Sequence, residues 1–159
     1  MKTFYRKCFL SKKRVSEIII FMKSVTVHAC DDSKRCRKAE FRGYIWENSF
    51  MVWRNLSYKN SFNAVAKVWL KETAHGTEVD LEIGMNVVVF IFMCLWCAGV
   101  LFFGIEMTVY LASGQGGKCI WIPVGILLFF FFIAYLFLRF GFYKSMMELK
   151  KRMFDIFEV

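Results

Sequence analysis

The sequence predicts an α+β membrane protein. A strand, a helix and a four-stranded antiparallel meander precede a two-helix transmembrane hairpin and a C-terminal amphipathic helix. Three observations predict this class. Two uncharged apolar runs, 87–105 and 119–138, each match the roughly 20 helical residues that cross a bilayer. Residues 41–83 alternate with a strand-like period of two, and amphipathic helical spacing occurs on both sides of these segments.

The order of these patterns predicts three segments. Residues 1–84 form a cytoplasmic α+β domain, and residues 85–141 form the hairpin, with spans at about 86–111 and 119–141. Residues 142–159 form the last helix, which either docks on the first domain or lies on the membrane.

The distribution of charge predicts the orientation of the hairpin. Of the 22 Lys and Arg residues, sixteen precede the first span, Lys118 lies between the spans, and five follow. The positive-inside rule therefore predicts a multi-pass protein of the cell (inner) membrane with both termini in the cytoplasm. The net charge of +9 suits anionic lipid headgroups, at roughly 1 kcal/mol per basic residue near the surface. No nucleic-acid recognition motif accompanies the charge, so the lipid bilayer is the expected partner rather than nucleic acid.

The N-terminal region reads as a strand followed by a helix. Residues 3–10 are strand-like, and Ser11 is a good N-cap for a helix over about 12–23. Apolar residues at i, i+3, i+4 and i+7 give this helix one apolar face: Val15, Ile18, Ile19 and Met22.

The middle region reads as the meander. After a polar loop at 29–39, the alternation predicts four strands with turns near 47–48, 57–60 and 74–76. One register of the last hairpin satisfies two patterns at once. If Lys71 faces Glu78, opposite charges meet on one face and apolar pairs meet on the other: Leu70, Val68 and Ala66 with Val79, Leu81 and Ile83, while Lys67 faces Glu82.

Large aromatic residues lie on the face opposite the main apolar alternation: Tyr44, Trp46, Trp53 and Trp69. A sheet with large side chains on both faces needs both faces at least partly covered. The two flanking helices can cover one face. The other is therefore the candidate interaction face, for lipid headgroups, a ligand or a second subunit.

Within the spans, Glu106 is the candidate polar residue. An intramembrane carboxylate is a functional candidate because burying it near mid-bilayer costs about 2.5–3.5 kcal/mol. If the first span begins near Asn86, however, Glu106 lies some twenty residues further on, at the level of the outer headgroups.

The sequence predicts no catalytic residue, no metal and no cofactor. The spacing from Cys30 to Cys36, near His28, lacks the paired short spacings of structural zinc sites. Cys94 and Cys97 match a redox spacing but lie within the first span, where they serve as soft packing residues. An enzyme is therefore not indicated.

Short motifs in the sheet region resemble a group of small uncharacterised bacterial membrane proteins with two spans and a cytoplasmic β-rich segment. The motifs are Phe41-x-Gly43, Phe50-x-Val52-x-Arg54, Tyr58-x-Asn60-Ser61-Phe62, and Gly76-Thr77 ahead of the spans. The resemblance covers about residues 40–110. It implies the fold and no activity, and its turn residues look like fold determinants.

Together these patterns favour a membrane-anchored, non-enzymatic protein whose cytoplasmic domain binds a partner protein, a lipid headgroup, a small ligand or a second copy. The alternative is a small oligomeric transport or channel component, which needs polar side chains along a shared path. The second span offers almost none. A membrane-bound hydrolase or transferase would need a pocket with converging polar groups.

Overall fold

The computed structural model describes residues 3–29, 39–56, 61–113 and 121–158 of the chain. They form a mixed α/β structure with a six-stranded sheet. Its elements are β1 (Thr3–Ser11), α1 (Val15–Val25), β2 (Thr26–His28), β3 (Phe41–Ile45), β4 (Ser49–Arg54), β5 (Ala64–Thr73), β6 (Gly76–Met85), α2 (Val87–Ala112), α3 (Trp121–Leu136), a π-helical segment (Phe137–Tyr143) and α4 (Lys144–Phe157).

The strand order is β1-β6-β5-β4-β3-β2, so β1 and β2 form the two edges. All neighbouring strands are antiparallel except β2 and β3, which are parallel. The prediction of one strand plus a four-stranded meander is thus incomplete. It missed β2, because three residues are too few to display a period of two.

The register predicted for the β5–β6 hairpin is confirmed. Lys71 lies opposite Glu78 and Lys67 opposite Glu82. The predicted apolar pairs form on the other face: Leu70 with Val79, Val68 with Leu81, and Ala66 with Ile83. Because side chains in a strand alternate between faces, this single register fixes which side chains of both strands face the core.

Two helices, α1 and α4, cover one face of the sheet, here called the inner face. All four apolar residues predicted for the first helix are buried, which confirms its apolar face. From α4, Leu149, Met153 and Phe157 are fully buried against the same sheet residues. The sheet side of this core consists of Phe41, Phe50, Val52, Ala64, Ala66, Val68, Leu70, Val79, Leu81, Ile83 and Met85.

The first helix begins later than predicted. Ser11 belongs to β1, where it lies opposite Thr77, so it does not cap α1. The helix starts at Val15, and its first turn is closed by the Glu17 carboxylate, which accepts a hydrogen bond from the Arg14 N–H at 3.2 Å. The side chain of Ser11 instead donates to the Phe157 carbonyl at 3.1 Å.

Both ends of α4 are held by hydrogen bonds to the sheet domain. At its start, Ser145 donates to Asn63 Oδ1 at 2.6 Å and accepts from the Ala64 N–H at 3.0 Å. At its end, the Lys13 ammonium donates to the Ile156 carbonyl at 2.9 Å. A cation at this end also suits the negative pole of the helix. The helix therefore runs along β5, from the first residue of that strand towards the opposite end of the sheet.

Two helices are long and apolar enough to cross a membrane: Val87–Leu111, and the continuous helix Val124–Phe157. They pack on each other through contacts such as the edge-to-face pair of Trp96 and Phe130, with ring centroids 5.7 Å apart. Most of their other large apolar side chains are exposed. The predicted loop between the spans lies outside the described residues for the most part, as do the polar loop at 30–38 and the turn at 57–60.

No break separates the second apolar helix from α4, because the π-helical segment joins them. This segment contacts Phe62, which lies just before β5. The rings of Phe62 and Phe137 stack with centroids 5.5 Å apart. A Cβ added at Gly141 would lie 3.0 Å from Phe62 Cβ, so glycine permits the close approach there.

Candidate functional site

The outer face of the sheet, opposite α1 and α4, carries the four aromatic residues chosen from the sequence. No helix among the described residues packs on this face. Trp46 and Trp69 are 53% and 45% exposed, while Tyr44 and Trp53 are half-buried. These exposed aromatic side chains make the outer face the candidate interaction face.

Three of the four aromatic residues form one connected cluster around Tyr44. Its ring stacks on Trp46, with centroids 6.2 Å apart, and meets Trp53 edge-on at 6.3 Å. The imidazole of His28, on the neighbouring edge strand, also meets Tyr44 edge-on at 5.1 Å. These geometries are the favourable ones for aromatic pairs, so the cluster is preformed rather than loosely arranged.

The fourth aromatic residue, Trp69, lies across a pocket of about 420 Å³ from this cluster. The pocket lies over the outer face of the paired strands β4 and β5, where Ser49 is directly opposite Trp69 and Met51 is opposite Lys67. Trp46 also lines the pocket, and its backbone N–H donates to the Ser49 carbonyl at 2.8 Å across the β3–β4 turn. Its volume falls in the range of small-molecule sites.

The pocket contains one charged side chain, that of Lys67. No ion pair links Lys67 to a carboxylate of the described residues, although Glu82 lies opposite it in the register. Glu82 instead pairs with Arg6 of β1, with 3.2 Å between Arg6 Nη1 and Glu82 Oε1. Because β6 lies between β1 and β5 in the sheet, Glu82 has neighbours on both strands, and its ion pair is with Arg6 of β1.

On β1 and β6 the outer face carries paired polar side chains. Arg6 binds Asp80 through two hydrogen bonds of 2.6 and 3.2 Å, and these bonds raise the pKa of its guanidinium. Next to it, the Cys8 thiol donates to Glu78 Oε1 at 3.4 Å. The hydrogen bond to this carboxylate raises the pKa of Cys8, which keeps the thiol protonated. The face thus divides into a charged half on β1 and β6 and an aromatic half formed by Tyr44, Trp46, Trp53 and Trp69 on and beside β3, β4 and β5.

The polar side chains in the lining of the pocket include Ser49 and Lys67. A nucleophilic serine needs a base within hydrogen-bond reach. Neither a histidine, a cysteine nor a carboxylate is among the residues that line the pocket.

The remaining candidates from the sequence lie apart from this face. Glu106 is exposed on α2, six residues before the helix ends at Ala112. Cys94 and Cys97 are free thiols on the same helix. Among the described residues, no group of three His, Cys, Asp or Glu side chains converges as a metal site would require. Cys30 and Cys36 lie outside the described residues.

Sequence reasoning chose the aromatic side chains but overlooked the pocket between them. The alternation that selected Trp69 also directs Lys67 to the outer face, two residues earlier on the same strand. The predicted register places Lys67 opposite Glu82 as an oppositely charged pair. Only the position of β1 beside β6 reveals that Glu82 has another partner.

Comparison with known proteins gives no relative for this chain: no protein-family model, no curated protein and no solved structure matches it. The fold and the outer face are therefore the basis for any functional argument.

Proposed function

We propose that this chain is a two-span protein of the inner membrane whose cytoplasmic sheet domain binds a partner through the aromatic half of its outer face. The function is binding, without catalysis. The single observation that carries this proposal is the outer face, on which no described helix packs and Trp46 and Trp69 remain about half exposed, while the apolar side chains of the inner face form the core.

Two features support membrane insertion. The helices Val87–Leu111 and Val124–Phe157 have the length and composition of spans. Their large apolar side chains are mostly exposed in the isolated chain. In water this surface would be very unfavourable, at about 25 cal/mol per Å² of exposed apolar area, and in lipid the penalty disappears. The two helices therefore act as an anchor.

The docking of α4 supports a topology in which both termini lie on the same side of the membrane. This helix follows the second span, yet it packs on a sheet made entirely of residues that precede the first span. Two crossings return the chain to its starting side, which this packing requires. The excess of basic residues before and after the hairpin favours the cytoplasm as that side.

A channel has less support. Among the residues of α2 and α3, Glu106 is the only charged one, and a conducting path needs several polar groups along its length. The contacts between the two helices are made by aromatic, aliphatic and glycine residues, such as Gly104 against Leu127. These contacts suit a compact hairpin.

Photocrosslinking in intact cells tests the binding face. A photoreactive benzoyl-phenylalanine replaces Trp46 or Trp69, and the matched control carries it at Lys151, an exposed position on α4. After irradiation and purification, intact-mass spectrometry should reveal a discrete adduct at the two outer-face positions and none at 151. Adducts of equal yield at all three positions, or none at either outer-face position, would contradict the proposal.

Thiol labelling tests the topology separately. Single cysteines are introduced at His75, in the exposed β5–β6 turn, and at Gln115, between the apolar helices. An impermeant thiol reagent applied to intact spheroplasts should modify only the cysteine at 115. Modification at 75 without lysis would overturn the orientation, whatever the crosslinking result.

A further inference from the structure

The pocket on the outer face has features that specify its ligand beyond a general binding surface. Its lining includes two indole rings, of Trp46 and Trp69, each about half exposed, and the Lys67 ammonium, which forms no ion pair with a carboxylate of the described residues. Indole rings flanking a pocket favour a flat ring that can stack on them. An ammonium without a carboxylate partner favours a negative group.

We propose that this pocket binds a soluble small molecule that carries a flat ring and a carboxylate or phosphate, with the anion held by Lys67. This inference rests on the proposed function, whose binding face it makes specific. The ring stacks against Trp69 and Trp46, and the Ser49 hydroxyl lies within the same pocket as a second polar contact.

The positive charge of Lys67 argues against a cationic ligand. A cation would also stack on tryptophan, but it would meet the Lys67 ammonium inside the pocket. No carboxylate lines the pocket to offset that repulsion. By register the nearest acidic side chains are Asp80, opposite Trp69, and Glu82, opposite Lys67, and both form ion pairs with Arg6 of β1. The charged group that lines the pocket itself is therefore the Lys67 ammonium.

Position along the strands favours a soluble ligand over a lipid headgroup. The helix α2 begins directly after Met85, which lies opposite Ala64 at the start of β5. Trp69 is five residues further along that strand, or about 17 Å at ~3.3 Å per residue. Because α4 continues the second apolar helix along β5, this distance leads away from the bilayer surface.

Matched pairs of probes test the ligand class. The full-length protein in nanodiscs of neutral lipid is titrated with indole-3-acetate and its neutral amide, and with adenosine monophosphate and adenosine, by calorimetry. We expect at least one anion to bind with a Kd about three- to tenfold lower than its neutral counterpart. Salt should reduce this ratio because the ammonium is near the surface.

Variants assign the effect to the pocket. Lys67→Gln should bring the anion and its neutral counterpart to equal affinity, whereas Lys71→Gln, on the same strand and outside the pocket, should leave the ratio unchanged. Trp69→Leu should weaken both members of a pair about fivefold or more, because stacking acts on the ring and not on its charge. Unchanged circular dichroism spectra verify that each variant is folded.

Three results would overturn the inference. The first is that neither anion binds below about 1 mM. The second is that Lys67→Gln still binds the anion more tightly than its neutral counterpart, and the third is competition by anionic lipid in the nanodisc, which would identify a headgroup as the source of the anion. A protein adduct in the crosslinking experiment, together with no anion binding, would refute this inference and leave the proposed function standing. Absence of any adduct would refute the proposed function itself.

Discussion

The two faces of the sheet use the same strands in opposite ways. On the inner face, the sheet residues are nearly all aliphatic or phenylalanine, and the chain supplies α1 and α4 to cover them. On the outer face, tryptophan, tyrosine and charged residues alternate with that set, and the described chain supplies no cover. Both faces carry large side chains, so burial of apolar area alone does not distinguish them.

The difference is in what each side chain can do when it is left in water. Phenylalanine and the aliphatic residues gain only from burial. Tryptophan and tyrosine combine apolar area with a polar group, and they are enriched where one surface meets another. The inner face is therefore expected to determine stability, and the outer face is expected to determine binding. The predictions below test this division, from the largest effect to the smallest.

The largest effect is expected at the centre of α4. Leu149 is fully buried against the sheet, and Leu149→Ala should lower the free energy of unfolding by about 2–5 kcal/mol, from lost transfer energy and the cavity left behind. Thermal unfolding of the purified protein, followed by near-ultraviolet circular dichroism, measures the loss. Lys151→Ala on the exposed side of the same helix is the control, with an effect within about 0.5 kcal/mol. Similar losses in both variants would mean that α4 does not pack on the sheet.

A smaller loss is expected at the polar joint between α4 and β5. Ser145→Ala removes the hydroxyl that bonds Asn63 and the Ala64 N–H, and it should cost about 1–3 kcal/mol because a buried N–H loses its partner. Asn63→Ala combined with Ser145→Ala should cost less than the sum of the single changes, since the two side chains share one bond. Strict additivity would contradict the joint. Ser16→Ala, exposed on α1, is the matched control.

How far the sequence predicts this fold depends on the range of the contacts. Local periodicity predicted the buried face of α1 and the full β5–β6 register, because both are determined within about twenty residues. The pairing of β1 with β6 joins residues more than sixty positions apart, as in Ser11 and Thr77, and no local pattern contains it. The π-helical joint was missed for another reason: apart from Arg139, its residues are apolar or aromatic like those of an ordinary span.

The sequence likewise predicted only part of the candidate site. Alternation selected the four aromatic residues, since the face of a side chain follows from its parity along a strand. It could not reveal that Glu82, opposite Lys67, forms an ion pair with Arg6, because this depends on which strand is the second neighbour of β6. Nor could it reveal the gap beside Ser49, which depends on how the β3–β4 turn positions Trp46.

Neighbouring residues of β5 provide the sharpest test of the two faces. Val68 is buried on the inner face, and Trp69 is exposed on the outer face. Val68→Ala should cost about 2 kcal/mol. Trp69→Ala removes a much larger side chain, yet it should cost less than about 1 kcal/mol, because it loses mainly cross-strand contacts. If Trp69→Ala were the more destabilising change in thermal unfolding, the outer face would be part of the core.

The smallest effect is expected at the charged half of the outer face, where the change alters reactivity rather than stability. The Glu78 carboxylate accepts a hydrogen bond from the Cys8 thiol and raises its pKa. Any stabilisation from this bond is thus present at low pH and is lost as the pH rises through the raised pKa. Because the thiolate is the reactive species, Glu78→Gln should lower the pKa and accelerate alkylation of Cys8 about twofold or more near pH 8.

The measurement uses a variant in which serine replaces every cysteine except Cys8, with alkylation followed by mass spectrometry across a pH series. Glu72→Gln is the matched control, because Glu72 is exposed on β5 and is not bonded to the thiol. A pH profile that stays unchanged in Glu78→Gln would mean that the thiol–carboxylate contact does not persist in solution. A shift to lower pH, with an unchanged midpoint of thermal unfolding, would establish that this half of the face is preorganised by charge and contributes little to the stability of the fold.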